Sequence, residues 1–314
     1  MSTDEQQAID VSITQDGGVM KTILEAAPND ALGPPFDGSE ITAHYTGIRS
    51  TSRRMILYSA PPSYYSMIGR LALNTAHMSF ENHPMDIHVR KEQLAPWYVA
   101  LNPHMTVPTL VDGETILIDS QAILLLAANL AGNQWLDIDL DLAPQIESVV
   151  EAHYAIPIER LTFGKAMIHL PILKFIFPRA LGKVIKGLEA QLVTAKDPIA
   201  LQAKIDLNQS RIAYFTQGAS LQEKMAIERN RISAYVNQLP TPDYYLFGNK
   251  PSSADVVTAV LFGRLKMIGE YALVTNHAQG VALDQWFGRM QEEPAFQLSD
   301  IWLRVQWWRI FLRG

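Results

Sequence analysis

The sequence predicts a small α/β unit with a mixed sheet, followed by an all-helical region and preceded by a short β-rich extension. Three observations lead to this class. Strand and helix patterns alternate in the order β-α-β-α-β-β-α between residues 53 and 132. Only helical periodicity follows from residue 141 onward. The first 50 residues contain two short strand-like runs, 10–14 and 41–46, between turn-rich stretches.

Apolar runs and turn signals define each element of the α/β unit. The Asp112-Gly113 pair between two apolar runs is a strong hairpin signal, and Gly132 ends the last helix. The predicted elements, in order, are a strand at 55–58, a helix through 68–73, a strand at 85–89, a helix around 94–101, strands at 107–111 and 114–118, and a helix at 119–130.

The all-helical region is divided by prolines and glycines, which end or interrupt helices. Within it, Ser252-Ser-Ala-Asp255 has the spacing of a capping box, because Ser252 and Asp255 can exchange side-chain-to-backbone hydrogen bonds. Breaks are predicted at Pro171, Pro178, Pro198, Gly218 and Pro240-Thr-Pro242, leaving helical segments at 143–170, 179–196, 198–217, 219–238, 252–274 and 280–312.

Composition excludes several classes of function. The 314 residues carry a net charge of −6, all of which the first 50 residues account for with eight acidic and two basic side chains, so we expect no nucleic-acid partner. The absence of cysteine excludes disulfides, thiolate metal sites and a catalytic thiol, and we expect no bound metal. The first residues lack a signal-peptide pattern and no apolar run is long enough to span a membrane, which predicts a cytoplasmic protein.

A proline at the start of a strand and an acid-Ser pair at the next helix start carry the main motif. Pro108 follows Val107, and Asp119-Ser120 opens the helix after the hairpin. With residues 247–255 and 283–296, they resemble the glutathione transferase superfamily. The resemblance implies a thioredoxin-like glutathione-binding domain at 53–132 and an all-helical substrate domain at 141–314, with glutathione as co-substrate.

The resemblance also implies roles for these residues. Val107, before a cis Pro108, would pair with the cysteinyl backbone of glutathione, and Asp119 with Ser120 would hold its γ-glutamyl end. A helix N-terminus favours a ligand carboxylate, and the Asp119 carboxylate suits an ammonium group.

Two residues are candidates for binding the glycyl carboxylate of glutathione. Many relatives have Gly followed by Gln or Lys where this chain has Met105-Thr106, so a donor to that carboxylate is weakened or missing. His104 and Lys91 are the candidate replacements. A lone histidine in a loop is more often merely solvated, and a solvated-surface role explains Lys91 at least equally well.

The activating hydroxyl is expected just after the first strand of the α/β unit. Ser63 lies where serine-type transferases carry their catalytic hydroxyl, and it would stabilise the glutathione thiolate by hydrogen bonding. Tyr64 or Tyr65 could donate instead. The alternative role of Ser63 is a helix N-cap, which is compatible with catalysis. The implied activity is conjugation of glutathione to a small hydrophobic electrophile.

An additional helical stretch at about 165–225 loosely resembles the ganglioside-induced differentiation-associated and tetrachlorohydroquinone-dehalogenase-like branches of the superfamily. Tyr154, Arg160 and Phe163 either face a substrate pocket or pack in the core, and the pattern does not decide between these. The family implies a homodimer.

The two ends of the chain suggest further interpretations. Residues 301–313 concentrate tryptophan and arginine, and form either a final helix over the cleft or a peripheral membrane contact. Residues 10–48 resemble only the opening of an FKBP-type isomerase, so the acidic extension 1–50 is a truncated FKBP-like segment. Two alternatives to transferase activity remain. Met105-Thr106 makes a non-catalytic glutathione-binding protein plausible, and the C-terminal residues 301–313 suggest a membrane-surface adaptor.

Overall fold

The computed structural model describes residues 55–195 and 197–306, together with two short strands near the N-terminus. The chain divides into two compact units, Met1–Ile48 and Arg49–Gly314. In the first unit, β1 (Ile9–Asp10) pairs antiparallel with β2 (Met20–Lys21). The predicted strand at 41–46 and most of the FKBP-like segment lie outside the described residues. The domain boundaries drawn from the sequence stay a prediction.

Four strands of the second unit form one mixed sheet, which confirms the thioredoxin-like α/β class. The sheet order is β4-β3-β5-β6, with β3 parallel to β4 and antiparallel to β5, and β5 antiparallel to β6. Helices cover the sheet, and the element order matches the predicted one. The elements are β3 (Met55–Ser59), α1 (Tyr64–Thr75), β4 (Phe80–Pro84), α2 (Pro96–Leu101), β5 (Thr109–Asp112), β6 (Thr115–Ile118) and α3 (Ser120–Ala131).

The predicted strand at 85–89 is wrong, because the strand in this place is β4 at Phe80–Pro84. An edge strand tolerates polar residues and proline, so its sequence lacks the apolar run that marks an inner strand. The apolar residues just after β4 belong to a loop. Asp86 carboxylate oxygens accept hydrogen bonds from the backbone N–H groups of His88, Val89 and Arg90 at 3.0, 2.8 and 3.1 Å, which turns the chain.

The region after α3 is helical in all its long elements, as predicted. Among the described residues, its α-helices range from 4 to 19 residues in length. They are α4 (Ala143–Tyr154), α5 (Ile158–His169), α6 (Leu173–Glu189), α7 (Pro198–Thr216), α8 (Leu221–Gln238), α9 (Ser253–Ile268), α10 (Ala272–Thr275), α11 (Gly280–Glu292) and α12 (Pro294–Leu298).

Several predicted helical segments have wrong bounds. The segment 143–170 is divided into α4 and α5, and the segment 252–274 into α9 and α10. Pro178 lies inside α6 rather than at a break, although proline inside a helix costs about 3 kcal/mol. Ring contacts of its neighbour Phe177 with Phe163 and Phe215, at centroid distances of 4.9 and 5.5 Å, help to hold α6 through this point. The helix predicted over 280–312 ends with α12, and residues 299–306 are not helical.

Helix α9 is the centre of the helical region, since it is buried from Ser253 through Leu265. Its first turn is fixed by the predicted capping box between Ser252 and Asp255. The Asp255 carboxylate also accepts hydrogen bonds from the Leu246 N–H at 2.8 Å and the Trp286 indole N–H at 3.1 Å. One buried carboxylate therefore joins α9, α11 and the loop before α9.

The chain shows no membrane-spanning segment in its described part, where every helix is too short or too polar to cross a bilayer. Within the same residues, no group of three or more histidine, aspartate or glutamate side chains is arranged to hold a metal ion.

Candidate functional site

The loop between β3 and α1 presents Ser63 as the N-cap of α1. The Ser63 hydroxyl accepts a hydrogen bond from the Ser66 N–H at 3.3 Å, so its own proton is not used by this cap. The Ser63 N–H donates to the Ala60 carbonyl at 3.1 Å, which closes the turn. Ser63 is half-buried and therefore accessible to a ligand at the end of the sheet.

Two buried guanidinium groups hold this loop by hydrogen bonding to its carbonyl groups. Arg70 on α1 donates to the carbonyls of Ala60 and Pro61, both at 3.3 Å, and also to the Ser299 carbonyl at 2.8 Å. Arg264 on α9 donates to the Pro62 carbonyl at 3.0 Å. The three successive carbonyls before Ser63 thus face positive charge. Neither arginine stood out in the sequence, because each lies within a helix that otherwise reads as apolar.

Burial lowers the pKa of Arg264, but the side chain keeps its positive charge. Its side chain is 6% exposed, and burial lowers the pKa of the guanidinium to about 10. The group therefore remains protonated at neutral pH. Its Nε–H finds no hydrogen-bond acceptor among the described residues. A fixed positive charge next to the Ser63 loop raises the local electrostatic potential.

The Tyr64 side chain points into the helical region. Its hydroxyl forms a 2.6 Å hydrogen bond with Nε2 of His153 on α4, and the two rings stack at a centroid distance of 5.7 Å. The Arg264 guanidinium lies 5.4 Å from the Tyr64 ring centroid. Burial raises the pKa of the Tyr64 phenol well above its usual value. Tyr64 therefore joins the two structural regions.

His153 makes the stability of this junction depend on pH. Burial lowers its pKa from 6.5 to about 3, so the folded protein keeps the ring neutral. A base with a depressed folded pKa stabilises the fold fully above its unfolded pKa and loses that contribution as the pH falls.

We expect the free energy of unfolding to fall by roughly 1.4 kcal/mol per pH unit below pH 6.5 on account of His153. Urea titrations of wild type and His153→Gln between pH 7 and pH 4 would measure this. The variant is expected to show a shallower pH dependence, since its amide does not titrate. Equal slopes in the two proteins would contradict the prediction.

The loop before β5 contains a cis peptide bond between Val107 and Pro108, as the resemblance implies. Tyr98 and Asn102 hold the loop by donating to the Thr106 carbonyl at 2.6 and 2.9 Å. Val107 is buried in one cluster with Ala60, next to the Ser63 loop. The Val107 residue precedes the sheet ladder, which begins at Thr109.

Asp119 and Ser120 begin α3 directly beside the cis peptide. The Asp119 N–H donates to the Pro108 carbonyl at 3.2 Å, and the Asp119 carboxylate caps α3 by accepting from the Ala122 N–H at 2.9 Å. Asp119 has φ of 80°, a conformation that L-residues adopt rarely, and its side chain is exposed. The structure thus brings Val107, Pro108, Asp119 and Ser120 together.

Ser120 also contacts the helical region. Its hydroxyl lies 3.0 Å from the Tyr154 hydroxyl on α4, and burial raises the pKa of this phenol. Of the three residues that the sequence left open, only Tyr154 reaches the α/β unit in this way. Arg160 stacks over the Tyr214 ring at 4.6 Å, and Phe163 contacts Phe177. Tyr154 therefore links α4 to the start of α3.

His104 and Lys91 are not joined to the other candidates. The His104 side chain is exposed, and Lys91 is half-buried in a left-handed backbone conformation. Across residues 55–195 and 197–306, no hydrogen bond or ion pair links either side chain to Ser63, Val107 or Asp119.

A lysine from the helical region approaches the same loop instead. The Lys204 ammonium on α7 donates to the Met105 carbonyl at 2.9 Å, and burial lowers its pKa to about 8. The Met105 side chain is 2% exposed and packs with residues of α6 and α7, which are Ile185, Leu188, Leu201 and Ile205. The sequence carried no signal for this contact, because 99 residues separate Lys204 from Met105.

Comparison with known proteins shows what the α/β unit is similar to. Residues 57–135 match the model of the glutathione S-transferase N-terminal domain, which covers the Ser63 loop, the cis peptide and the Asp119-Ser120 helix start. The match identifies residues 57–135 as a glutathione S-transferase N-terminal domain. The same domain contains every residue that the sequence proposed for the glutathione site.

One relative and one solved structure are similar to most of this chain, and a second relative is similar over a shorter stretch. A tetrachloro-p-hydroquinone reductive dehalogenase of Sphingobium chlorophenolicum is 24% identical over 265 residues, which cover 78% of this chain and 95% of that protein. A zeta-class glutathione S-transferase of Euphorbia esula is 39% identical over 72 residues, 23% of this chain and 32% of that protein. The crystal structure of the β-etherase LigF from Sphingobium sp. strain SYK-6 shares the fold, with TM-score 0.57 and 19% identity over 78% of this chain and 98% of that one.

Proposed function

We propose that the protein is a glutathione transferase that conjugates glutathione to a small apolar electrophile. The observation that carries the proposal is the direct contact between the cis Val107–Pro108 segment and the start of α3, with Ser63 opening α1 beside it. Backbone donors, an exposed carboxylate and a hydroxyl converge there from separate elements. Such a set suits a zwitterionic peptide with a reactive thiol.

The ends of glutathione have separate partners in this proposal. Val107 pairs with the cysteinyl backbone, and the Asp119 carboxylate binds the γ-glutamyl ammonium group. The γ-glutamyl carboxylate meets the N-terminus of α3 at Ser120, where helix amides and the helix dipole favour an anion. Lys204 supplies positive charge near the glycyl carboxylate, in place of the donor that Met105-Thr106 lacks.

Ser63 donates a hydrogen bond to the glutathione sulfur and thereby stabilises the thiolate. Its proton is available, since the cap uses its oxygen as an acceptor. The 2.6 Å hydrogen bond to buried His153 makes Tyr64 a weaker candidate for this role. The charge of Arg264 adds to the stabilisation of the thiolate. The thiolate attacks the electrophile, a carbon–sulfur bond forms, the leaving group departs, and the thiol proton passes to solvent.

We expect calorimetry to detect glutathione binding by the wild-type protein and at least about tenfold weaker binding by Asp119→Asn, because one charge-assisted contact is lost. Asparagine caps helices as well as aspartate does, so α3 is expected to remain intact. Circular dichroism provides that control. Equal affinities would remove Asp119 from the site, and no binding by wild type would refute the proposal.

A second candidate activity is reductive dehalogenation of an aromatic ring, which the alignment with the Sphingobium dehalogenase favours. Two glutathione molecules would convert an aryl chloride into the arene, hydrogen chloride and glutathione disulfide. This chain has no cysteine, so the second glutathione would have to release the first from any conjugate. Formation of glutathione disulfide, rather than a stable conjugate, distinguishes the two activities.

We further infer a cytoplasmic homodimer, as the family resemblance implies. Sedimentation of the purified full chain tests the dimer.

The C-terminal segment has a structural role at its start, because Trp302 is 1% exposed and Ile301 packs beside Gly263 of α9. The proposed membrane contact at 301–313 continues into residues outside the described part of the chain.

A further inference from the structure

The outer side of α6 forms a continuous exposed stripe. We define the α6 stripe as Ile172, Phe175, Ile176, Arg179, Lys183 and Lys186, which recur at helical spacing along one side. Its first half is apolar, with exposed fractions of 59% for Ile172, 61% for Phe175 and 51% for Ile176. Its second half is cationic, and all three basic side chains are exposed.

The opposite side of α6 holds the helix to the protein. Ile185 and Leu188 are buried against Leu201 and Ile205 of α7, and Phe177 contacts Phe163 and Phe215. The residues of the α6 stripe take no part in these clusters. The stripe is therefore not needed to pack α6, and its composition calls for another explanation.

The charge of α6 contrasts with that of the whole protein. The helix carries Lys174, Arg179, Lys183 and Lys186 against the single acid Glu189, within a chain of net charge −6. Arg179 donates to the Phe175 carbonyl of its own helix at 3.0 Å. Lys183 and Lys186 have no acidic partner among the described residues. The stripe therefore presents positive charge beside exposed apolar side chains.

An anionic membrane surface complements both halves of the stripe. Apolar side chains of an interfacial helix enter the boundary between headgroups and acyl chains, while lysine and arginine remain near acidic headgroups. A helix of 17 residues is about 25 Å long and can lie in the membrane plane. An apolar protein groove would satisfy Phe175 and Ile176 but would offer nothing to the lysines.

We propose that the α6 stripe binds the protein reversibly to membranes that contain acidic phospholipids. Phe175 and Ile176 enter the interface, and Lys183 and Lys186 contact the headgroups. The site lies on α6 and is distinct from the C-terminal segment 301–313. Binding weakens as salt increases, because the contribution of the lysines is electrostatic.

Co-sedimentation of the full chain with vesicles tests the proposal. We expect binding to phosphatidylcholine vesicles that contain phosphatidylserine, and little binding to pure phosphatidylcholine. Lys183→Glu with Lys186→Glu is expected to weaken partition at least about tenfold, since each basic residue is attracted to the acidic surface. Phe175→Ser with Ile176→Ser is expected to weaken partition to a similar extent by removing the apolar contact.

Matched controls make the test specific to α6. Val281→Ser with Leu298→Ser removes side chains that are each 73% exposed elsewhere, and Arg90→Glu reverses an exposed charge on the α/β unit. Both controls are expected to bind vesicles like wild type, and circular dichroism checks that every variant folds. No binding by wild type, binding that the stripe variants leave unchanged, or an equal loss in the controls would overturn the proposal. A dimer that Phe175→Ser with Ile176→Ser dissociates, without vesicle binding, would also overturn it.

Discussion

Ser63→Ala is expected to lower the rate of glutathione conjugation about 10- to 100-fold, with a much smaller loss of glutathione affinity. The reason is that a hydrogen bond to a charged partner contributes about 1.5–3 kcal/mol, and this one forms only with the thiolate. Steady-state kinetics with a chromogenic electrophile measure the rate, and calorimetry measures the affinity. The pKa of bound glutathione, followed by thiolate absorbance, is expected to rise in the variant.

Further variants separate catalysis from helix capping at Ser63. Ser63→Gly costs the N-cap only a few tenths of a kcal/mol, so a matching loss of rate would not come from unfolding. Ser63→Thr retains the hydroxyl and is expected to recover most of the rate. Tyr64→Phe removes a second candidate donor. It is expected to lower stability, since it leaves His153 Nε2 unpaired, with little effect on the rate. A large loss of rate in Tyr64→Phe alone would transfer the donor role to Tyr64.

Asp255→Ala is expected to destabilise the fold by about 3 kcal/mol or more. The substitution leaves the Leu246 N–H, the Ser252 N–H and the Trp286 indole N–H buried without acceptors, and each unsatisfied group costs about 1–3 kcal/mol. Asp255→Asn is not expected to rescue stability, because its NH₂ group would face one of these donors. Urea unfolding followed by circular dichroism measures both variants.

The exposed capping box of α8 provides a matched control for Asp255. Ser220 and Glu223 exchange the same pair of hydrogen bonds at the start of α8, but in solvent and without further partners from other elements. Glu223→Ala is therefore expected to cost much less stability than Asp255→Ala, because its hydrogen bonds compete with water. If Asp255→Ala cost no more than Glu223→Ala, the links from Asp255 to α11 and to the loop before α9 would be energetically unimportant.

The sequence predicted those elements whose local signal agrees with their final environment. The hairpin at Asp112-Gly113 and the capping box at Ser252 depend on residues that are close in the chain, and the structure contains both. Strand β4 was misplaced because an edge strand needs no apolar alternation. Pro178 was misread as a break, since distant aromatic contacts that hold α6 leave no local trace.

In the candidate site, some residues could be found from the sequence and others only from the structure. The resemblance to glutathione transferases implied roles for Ser63, Val107, Pro108, Asp119 and Ser120, and these roles stay predictions. The supporting charges of Arg70, Arg264 and Lys204 were not predicted. Arg264 and Lys204 each reach a loop from a helix that is distant in the sequence. Arg70 reaches its loop from within the helix that follows it.

The sequence alone determined the α/β and helical classes, the absence of any cysteine thiol from the protein, and the motif residues of the glutathione S-transferase domain. Only the tertiary structure decided that Tyr64 is committed to His153, that Tyr154 reaches Ser120 and that Lys204 reaches Met105. The physical reason is that propensity, capping and turn formation are interactions between near neighbours in the chain. Burial, by contrast, and the pairing of buried polar groups depend on how helices that are distant in sequence pack against the sheet.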